Sequence, residues 1–239
     1  MVGILSHTPA LPPSGRPLRR AGTLLLIRDG DAGVEVLMQQ RSENLRFLPG
    51  YWAFPGGTES PSDADTARTF GELGASSVSL AETLAVTALR ETAEELGVLC
   101  GVTHPGLLSE SEWDGLCEGT MAFASLLQSR RETLCFSGIR NVGRWVGPHG
   151  EPAQFDTWFF ALPYDESLPA KWKSVEVATA KWQNAAQFLQ QERDGAARMV
   201  PPTLAMMEAL ASCPDVPSVM QHMYACDPTL PQLTWLSSQ

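Results

Sequence analysis

The chain lacks most of the residue patterns that build other kinds of site. Its five cysteines, at positions 100, 117, 135, 213 and 226, never form a C-x-x-C pair and are odd in number. Neither a disulfide framework nor a thiolate metal site is expected from them. Such usage fits a reducing compartment, and a cytoplasmic location is the expectation. The four histidines are not paired at ligand spacing. No apolar run approaches the roughly 18–20 residues that a membrane span needs. Also absent are the G-x-S-x-G nucleophile turn, the G-x4-G-K-[ST] phosphate loop and the G-x-G-x-x-G dinucleotide fingerprint. Positive charge is in short supply. The formal net charge of −10 speaks against a nucleic-acid binder, because backbone phosphates demand a basic face. A small anionic substrate stays admissible, because a divalent cation reverses the sign of the field in an acidic pocket.

What is present fits one elaborated domain. The 239 residues are 44% hydrophobic and 18% charged, enough to bury a substantial core. Residues 1–19, with Pro9, Pro12, Pro13 and Pro17, read as a flexible leader. Residues 20–212 read as the domain, and 213–239 as a tail placed either on the domain or on a second subunit. Apolar runs at Thr23–Ile27 and Val34–Met38 flank an Asp/Gly turn and predict a hairpin. A further strand at Trp52–Phe54 is stopped by Pro55-Gly56-Gly57. The polar stretch 58–79 predicts an inserted loop with a short helix near Asp63–Leu73. Strands are expected at Leu134–Phe136, Arg144–Val146, Thr157–Leu162 and Val175–Trp182, and helices at Asn184–Arg193 and Pro202–Ala211. Strands and helices mixed in this way, without regular βαβ alternation, predict an α/β sandwich with a mixed sheet.

The informative helix runs from about Leu80 to Leu96, opened by a capping box of Ser79 and Glu82 and stopped by Gly97. Glu91, Glu94 and Glu95 crowd its last turn. Like charges four residues apart cost roughly 0.2–0.5 kcal/mol, and negative charge there opposes the helix dipole at roughly 0.3–1 kcal/mol each. Arg90 is the one basic residue on the helix. Local rules broken in this way point to function, and clustered carboxylates are the ligands that Mg2+ or Mn2+ takes. Taken alone, E-x-x-E-E also fits an acidic face left to solvent.

The spacing around the cluster is more specific. Glu82-x7-Arg90-Glu91-Thr92-x-Glu94-Glu95-x-Gly97-Val98 resembles the Nudix box, G-x5-E-x7-R-E-U-x-E-E-x-G-U, with Thr92 at the first apolar position. The box glycine is best matched by Gly57 in Phe54-Pro55-Gly56-Gly57, which places an insertion of about 19 residues between Gly57 and Glu82. The resemblance implies a Nudix-type α/β/α sandwich with a mixed sheet, an inserted loop and a C-terminal helical extension. It implies a Mg2+- or Mn2+-dependent hydrolase of diphosphate bonds, with a homodimer as a family-level expectation. By position it makes Glu91 and Glu95 the main metal ligands, with Glu94 beside them as ligand or hydrogen-bond partner, joined by a main-chain carbonyl near Gly56 or Gly57, with Glu82 and Arg90 orienting the set. The proton acceptor is left among Glu91, Glu94 and an acid outside the helix such as Glu176.

Upstream, Leu37-Met38-Gln39-Gln40-Arg41-Ser42-x3-Arg46-x3-Gly50-x3-Phe54-Pro55-Gly56-Gly57 resembles the signature of the coenzyme A diphosphatase branch, L-L-T-x-R-[SA]-x3-R-x3-G-x3-F-P-G-G. Met38 and Gln39 depart from it. Arg41 and Arg46 are then the candidates to bind the substrate's phosphates, since guanidinium forks suit phosphate; pairing of one arginine with the acidic helix is the alternative. Tyr51 and Trp52 are candidates for stacking on adenine, against core packing as strand residues; Trp145, Trp158 and Trp182 read as core. The implied reaction splits coenzyme A, or a short acyl derivative, into 3′,5′-ADP and 4′-phosphopantetheine. Two other readings are ADP-ribose, NADH or another nucleoside diphosphate compound as substrate, and a nucleotide sensor that does not cut. A sensor is expected to lose box carboxylates, and all three are retained.

Overall fold

The computed structural model describes residues 18–46, 48–72, 77–147, 154–164 and 176–226. The chain begins with the predicted hairpin, β1 (Leu18–Gly30) and β2 (Gly33–Arg41), turning at Asp31-Ala32 with Gly30 opposite Gly33. There follow β3 (Trp52–Ala53), β4 (Gly56–Thr58), α1 (Asp63–Phe70), α2 (Leu80–Leu96), β5 (Val98–Leu99), β6 (Gly106–Leu107), α3 (Glu110–Cys117) and α4 (Phe123–Arg130). The second half holds β7 (Arg140–Gly147), β8 (Gln154–Pro163), β9 (Val177–Asn184), α5 (Ala185–Arg193), α6 (Pro201–Ala211), α7 (Val216–His222) and β10 (Ala225–Cys226).

The main sheet runs β10-β7-β8-β1-β2-β3, with β4 paired to β1 and β9 to β2. β1 lies parallel to β8 and antiparallel to β2 and β4, so the sheet is mixed as predicted. Alternation along the strands feeds two cores, because successive side chains leave opposite faces. Leu24, Leu26, Leu37, Phe160 and Leu162 face α1 to α4. Leu25, Ile27, Val36, Phe159 and Ala161 face α5 to α7. The result is the expected α/β/α sandwich, and its buried strands are apolar on both sides because helices cover both. Trp145, Trp158 and Trp182 are half-buried and pack against these cores.

Several expectations are corrected. No strand forms at Leu134–Phe136. Leu134 makes single bridges to Gly71 and Val102, and the chain then turns through a short 3-10 helix at Phe136–Gly138, where Ser137-Gly138 favour a turn. Helices α3 and α4 were not anticipated. The paired body starts at Leu18, two residues before the expected domain start. Within the expected tail, β10 pairs with β7, Arg140 Nη1 donates to Met220 O at 2.7 Å, and Asp29 accepts from Val216 N–H at 2.8 Å, so this part of the tail packs on its own domain. Residues 1–17 of the leader, the start of the strand expected from Val175, and the tail past 226 lie outside the described residues. Among the described residues no helix is long and apolar enough to cross a membrane, and Cys100, Cys117, Cys135 and Cys213 form no disulfide.

Candidate active site

Helix α2 begins and ends as its sequence dictates. Ser79 caps it, accepting from Glu82 N–H at 3.2 Å while the Glu82 carboxylate accepts from Ser79 N–H and Oγ at 2.7 Å each. Gly97 closes it in the left-handed region at φ 65°, which suits glycine. Leu84, Ala88, Leu89 and Leu96 seat one face in the core. Thr92, the non-apolar residue at an apolar box position, is fully buried; its hydroxyl donates back to Ala88 O at 2.7 Å, and so leaves no unsatisfied polar group in the core. No basic residue sits in the last turn. Its carbonyls are met instead by neutral donors, with Trp113 Nε1 of α3 donating to Glu94 O at 2.8 Å.

The acidic turn faces the Phe54–Gly57 segment. Glu95 is 8% exposed, and both Gln39 Nε2, at 2.8 Å, and Gly56 N–H, at 3.0 Å, donate to its Oε2. Glu91 lies directly on Gly57. A Cβ at that position would collide with the Glu91 carboxyl carbon and lie 2.6 Å from both oxygens, so a glycine is required for the main chain to approach the carboxylate this closely. Arg90 braces the rest. Its Nη1 donates to Glu91 Oε1 at 2.8 Å and Glu94 Oε2 at 3.2 Å, its Nε and Nη2 to Asp63 at 3.0 and 3.2 Å, and its Nη2 also to Thr58 O at 3.0 Å.

The electrostatics follow from that packing. Burial pushes the Glu95 carboxyl up to about 8, helped by the charges of Glu91 and Glu176 and opposed by the Gln39 and Gly56 hydrogen bonds. Burial also raises Glu91 and Glu94, against the pull of Arg90. Burial works against the Arg90 charge, but its bond to Asp63 and the charges of Glu91, Asp63 and Glu94 outweigh it and hold the guanidinium protonated. A concentration of carboxylates whose charge is held at a cost marks a functional site.

The role expected for Glu82 is corrected. Its carboxylate is spent on the cap of α2, nine residues from Glu91 and hence about 13 Å along the helix. The acid that holds Arg90 is Asp63, at the start of α1. Asp63 is 1% exposed and accepts from Ser60 N–H and Thr87 Oγ1, each at 2.8 Å, as well as from Arg90. The signal was in the sequence: Gly57-x5-Asp63 has the spacing of the first half of the box. Only the spacing of the second half selected Glu82. The 19-residue insertion therefore lies between Asp63 and Arg90, not between Gly57 and Glu82.

Other expected residues sort as follows. Gly56 meets the turn through its N–H, where a carbonyl had been expected from this segment. Arg41 ends β2 at a bulge, two residues past Gln39 and thus roughly 7 Å along the strand, and is half-buried. Arg46 is exposed in the turn beyond it. Glu176 is exposed; its carbonyl accepts from Ser42 N–H at 2.8 Å, and its charge reaches Glu91 and Glu95. Trp52 is a core residue, edge-on to Phe188 at 5.3 Å, and Tyr51 carries the Arg198 guanidinium 5.1 Å over its ring. Gln39, which the sequence marked only as a departure from the branch signature, is the residue missed.

The donor set fits a hard divalent cation. Glu91, Glu94 and Glu95 each have one oxygen held by a protein donor, and the second oxygen of each has none among the described residues. No three Asp, Glu, His or Cys side chains are gathered at ligand distances among the described residues. A cluster of three is not required, because Mg2+ commonly takes only one or two carboxylates besides water and substrate phosphates.

The chain is similar to known proteins. The NUDIX domain family model matches residues 18–203. A crystal structure of a NUDIX hydrolase from Alicyclobacillus acidocaldarius is 36% identical and superposes with a TM-score of 0.80, covering 88% of this chain and 99% of that one. A probable nudix hydrolase of Schizosaccharomyces pombe is 36% identical over 113 residues, 44% of this chain; the match spans about a third (33%) of that curated relative. With the two halves of the box folded together around Arg90, and with these matches over most of its length, the chain belongs to the Nudix hydrolase family.

Proposed function

We propose that the chain hydrolyses the diphosphate bond of coenzyme A or a short acyl-coenzyme A, giving 3′,5′-ADP and a 4′-phosphopantetheine product, with Mg2+ or Mn2+ as cofactor. The observation that carries the hydrolytic reading is the pairing of Glu91 with Gly57 and of Glu95 with Gly56, which leaves carboxylate oxygens open beside a backbone turn. Glu91 and Glu95 would hold the cation, with Glu94 beside them. Bound there, the cation neutralises the diphosphate oxygens and lowers the pKa of the attacking water. Arg90, fixed by Asp63, keeps Glu91 and Glu94 in place. Water adds to one phosphorus, the bridging P–O bond breaks, and the water's proton passes to a carboxylate of the neighbourhood, Glu91, Glu94 or Glu176.

The choice of coenzyme A is supported by the signature from Leu37 to Gly57, which runs along β2 to the segment facing the acidic turn. Its two arginines, Arg41 and Arg46, lie at and just beyond the end of that strand, and guanidinium forks suit a 3′-phosphate. A panel of coenzyme A, dephospho-coenzyme A, ADP-ribose and NADH, with products identified by mass spectrometry and with a chelator control, tests the proposal. Coenzyme A is expected to be cleaved at least about tenfold better than its dephospho form, one lost charge-assisted phosphate contact. Equal rates for the two would remove the 3′-phosphate contact, and preference for ADP-ribose or NADH would replace the substrate.

A further inference from the structure

Gln39 is the least expected polar residue in the protein. It lies on β2 opposite Ala53 of β3 and Ala180 of β9, small neighbours on either side, and shares with Leu37 the sheet face covered by α2. It is 2% exposed. Its Nε2 donates to Glu95 Oε2 at 2.8 Å, and its own Oε1 is buried with no hydrogen-bond partner. With Glu95 ionised, as a cation ligand is, rotating the amide would set two acceptors against each other, so the carboxylate fixes the orientation. A buried carbonyl without a donor requires a reason, since an apolar side chain would fill the space without that penalty.

We propose that Gln39 is a positioning residue for Glu95, and that its unpartnered carbonyl accepts a hydrogen bond from a water carried by the divalent cation. This rests on the reading of Glu95 as a metal ligand. Gln39 and Gly56 both bind Glu95 Oε2, so together they fix the carboxylate plane and leave Oε1 as the oxygen free to ligate. The donor is neutral. A lysine or arginine in its place would orient Glu95 equally well but would cancel the charge that draws the cation. An amide orients without competing, and its second atom supplies an acceptor that an ammonium group lacks.

The test is direct Mn2+ binding to the full chain, followed by electron paramagnetic resonance of the free ion without substrate, for the parent, Gln39→Met, Gln39→Leu and Glu95→Gln. Melting without metal is measured in parallel. Both Gln39 variants are expected to bind Mn2+ about 10–100-fold more weakly, while their metal-free melting temperatures equal or exceed that of the parent. With substrate, the Mn2+ activation constant rises and kcat at saturating Mn2+ stays within a few-fold. Variants that melt lower but bind Mn2+ as the parent does would make Gln39 merely structural and overturn the proposal. If Glu95→Gln loses Mn2+ while both Gln39 variants retain it, the role of Gln39 alone falls. If Glu95→Gln binds as tightly as the parent, or the parent binds no Mn2+, the metal reading falls and this inference with it.

Discussion

Replacing Asp63 by asparagine, beside Glu82→Gln, separates the two candidate acids of the box. Asp63 is almost fully buried and holds the Nε and Nη2 of Arg90, whose side chain is itself 12% exposed. Removing one partner of a buried ion pair costs roughly 3–5 kcal/mol when the other is left unpaired. Arg90 keeps Glu91 and Glu94, so about 2 kcal/mol is the reasonable loss for Asp63→Asn, a fall of about 4–8 °C in melting temperature for a chain of this size. Glu82→Gln keeps the reach of the capping box and loses only its charge, costing about 0.5 kcal/mol and about 1–2 °C. Activity should separate more sharply. Arg90 freed from Asp63 no longer fixes Glu91 and Glu94, and loss of such a supporting bond costs about 10–100-fold in rate. Glu82→Gln is expected to stay within about twofold, because its carboxylate lies about 13 Å along α2 from the turn. Steady-state hydrolysis of a nucleoside diphosphate substrate with Mn2+, beside a thermal melt of each variant, reads both quantities. A Glu82→Gln enzyme as impaired as Asp63→Asn, or an Asp63→Asn enzyme with parental rate, would refute the placement of the insertion after Asp63.

Two further predictions follow from contacts at the acidic turn and between α3 and α4. Gly57→Ala drives a methyl group into the Glu91 carboxylate, where both oxygens would lie 2.6 Å from it; hydrolysis is expected to fall about 100-fold, as for a misplaced catalytic group, with Mn2+ affinity falling alongside. Glu112→Ala removes the carboxylate that links α3 to α4. The Arg130 guanidinium, bonded at 2.6 and 2.8 Å, and the Ser109 donors hold the Glu112 carboxyl down at about 2, below its ordinary 4.5. A depressed acid stabilises above its unfolded value and loses that contribution as pH falls through the folded one. The variant should therefore melt about 2–4 °C lower at neutral pH, for about 1 kcal/mol of cap and ion pair. The gap should close between about pH 5 and pH 2, and a gap that persists at pH 2 would contradict the assignment.

The sandwich was legible wherever one pattern dominated. The hairpin at Asp31-Ala32, the strand through Phe159 and Phe160, and α2 with its Ser79 cap and Gly97 stop all carry their own start and stop signals, and they form as read. Where tertiary contacts decide, the reading failed. Leu134 is apolar and followed by apolar residues, yet it serves as a lone bridge between two loops. The start of α3 was signalled by Ser109 and Glu112, a capping box like that of α2, but its mixed apolar and acidic composition hid the helix behind it. The site was legible as residues and not as partners. Glu91, Glu94, Glu95 and Gly57 come together, but the insertion made two acids fit two halves of one spacing. Only the folded contact with Arg90 distinguishes Asp63 from Glu82. Gln39 is more distant still from sequence reading: 56 residues separate it from Glu95, and a glutamine in a strand has no spacing that announces a partner.

The central claim, that the end of α2 holds a hard divalent cation, is tested most directly by soaking crystals of the protein in Mn2+ and mapping the anomalous signal. A peak at ligand distance, roughly 2.0–2.3 Å, from oxygens of Glu91 and Glu95 and beside the Gly56–Gly57 turn is the predicted result. A Mn2+-dependent hydrolase whose anomalous peak lies elsewhere, with those carboxylates still held only by Arg90, Gln39 and Gly56, would contradict it.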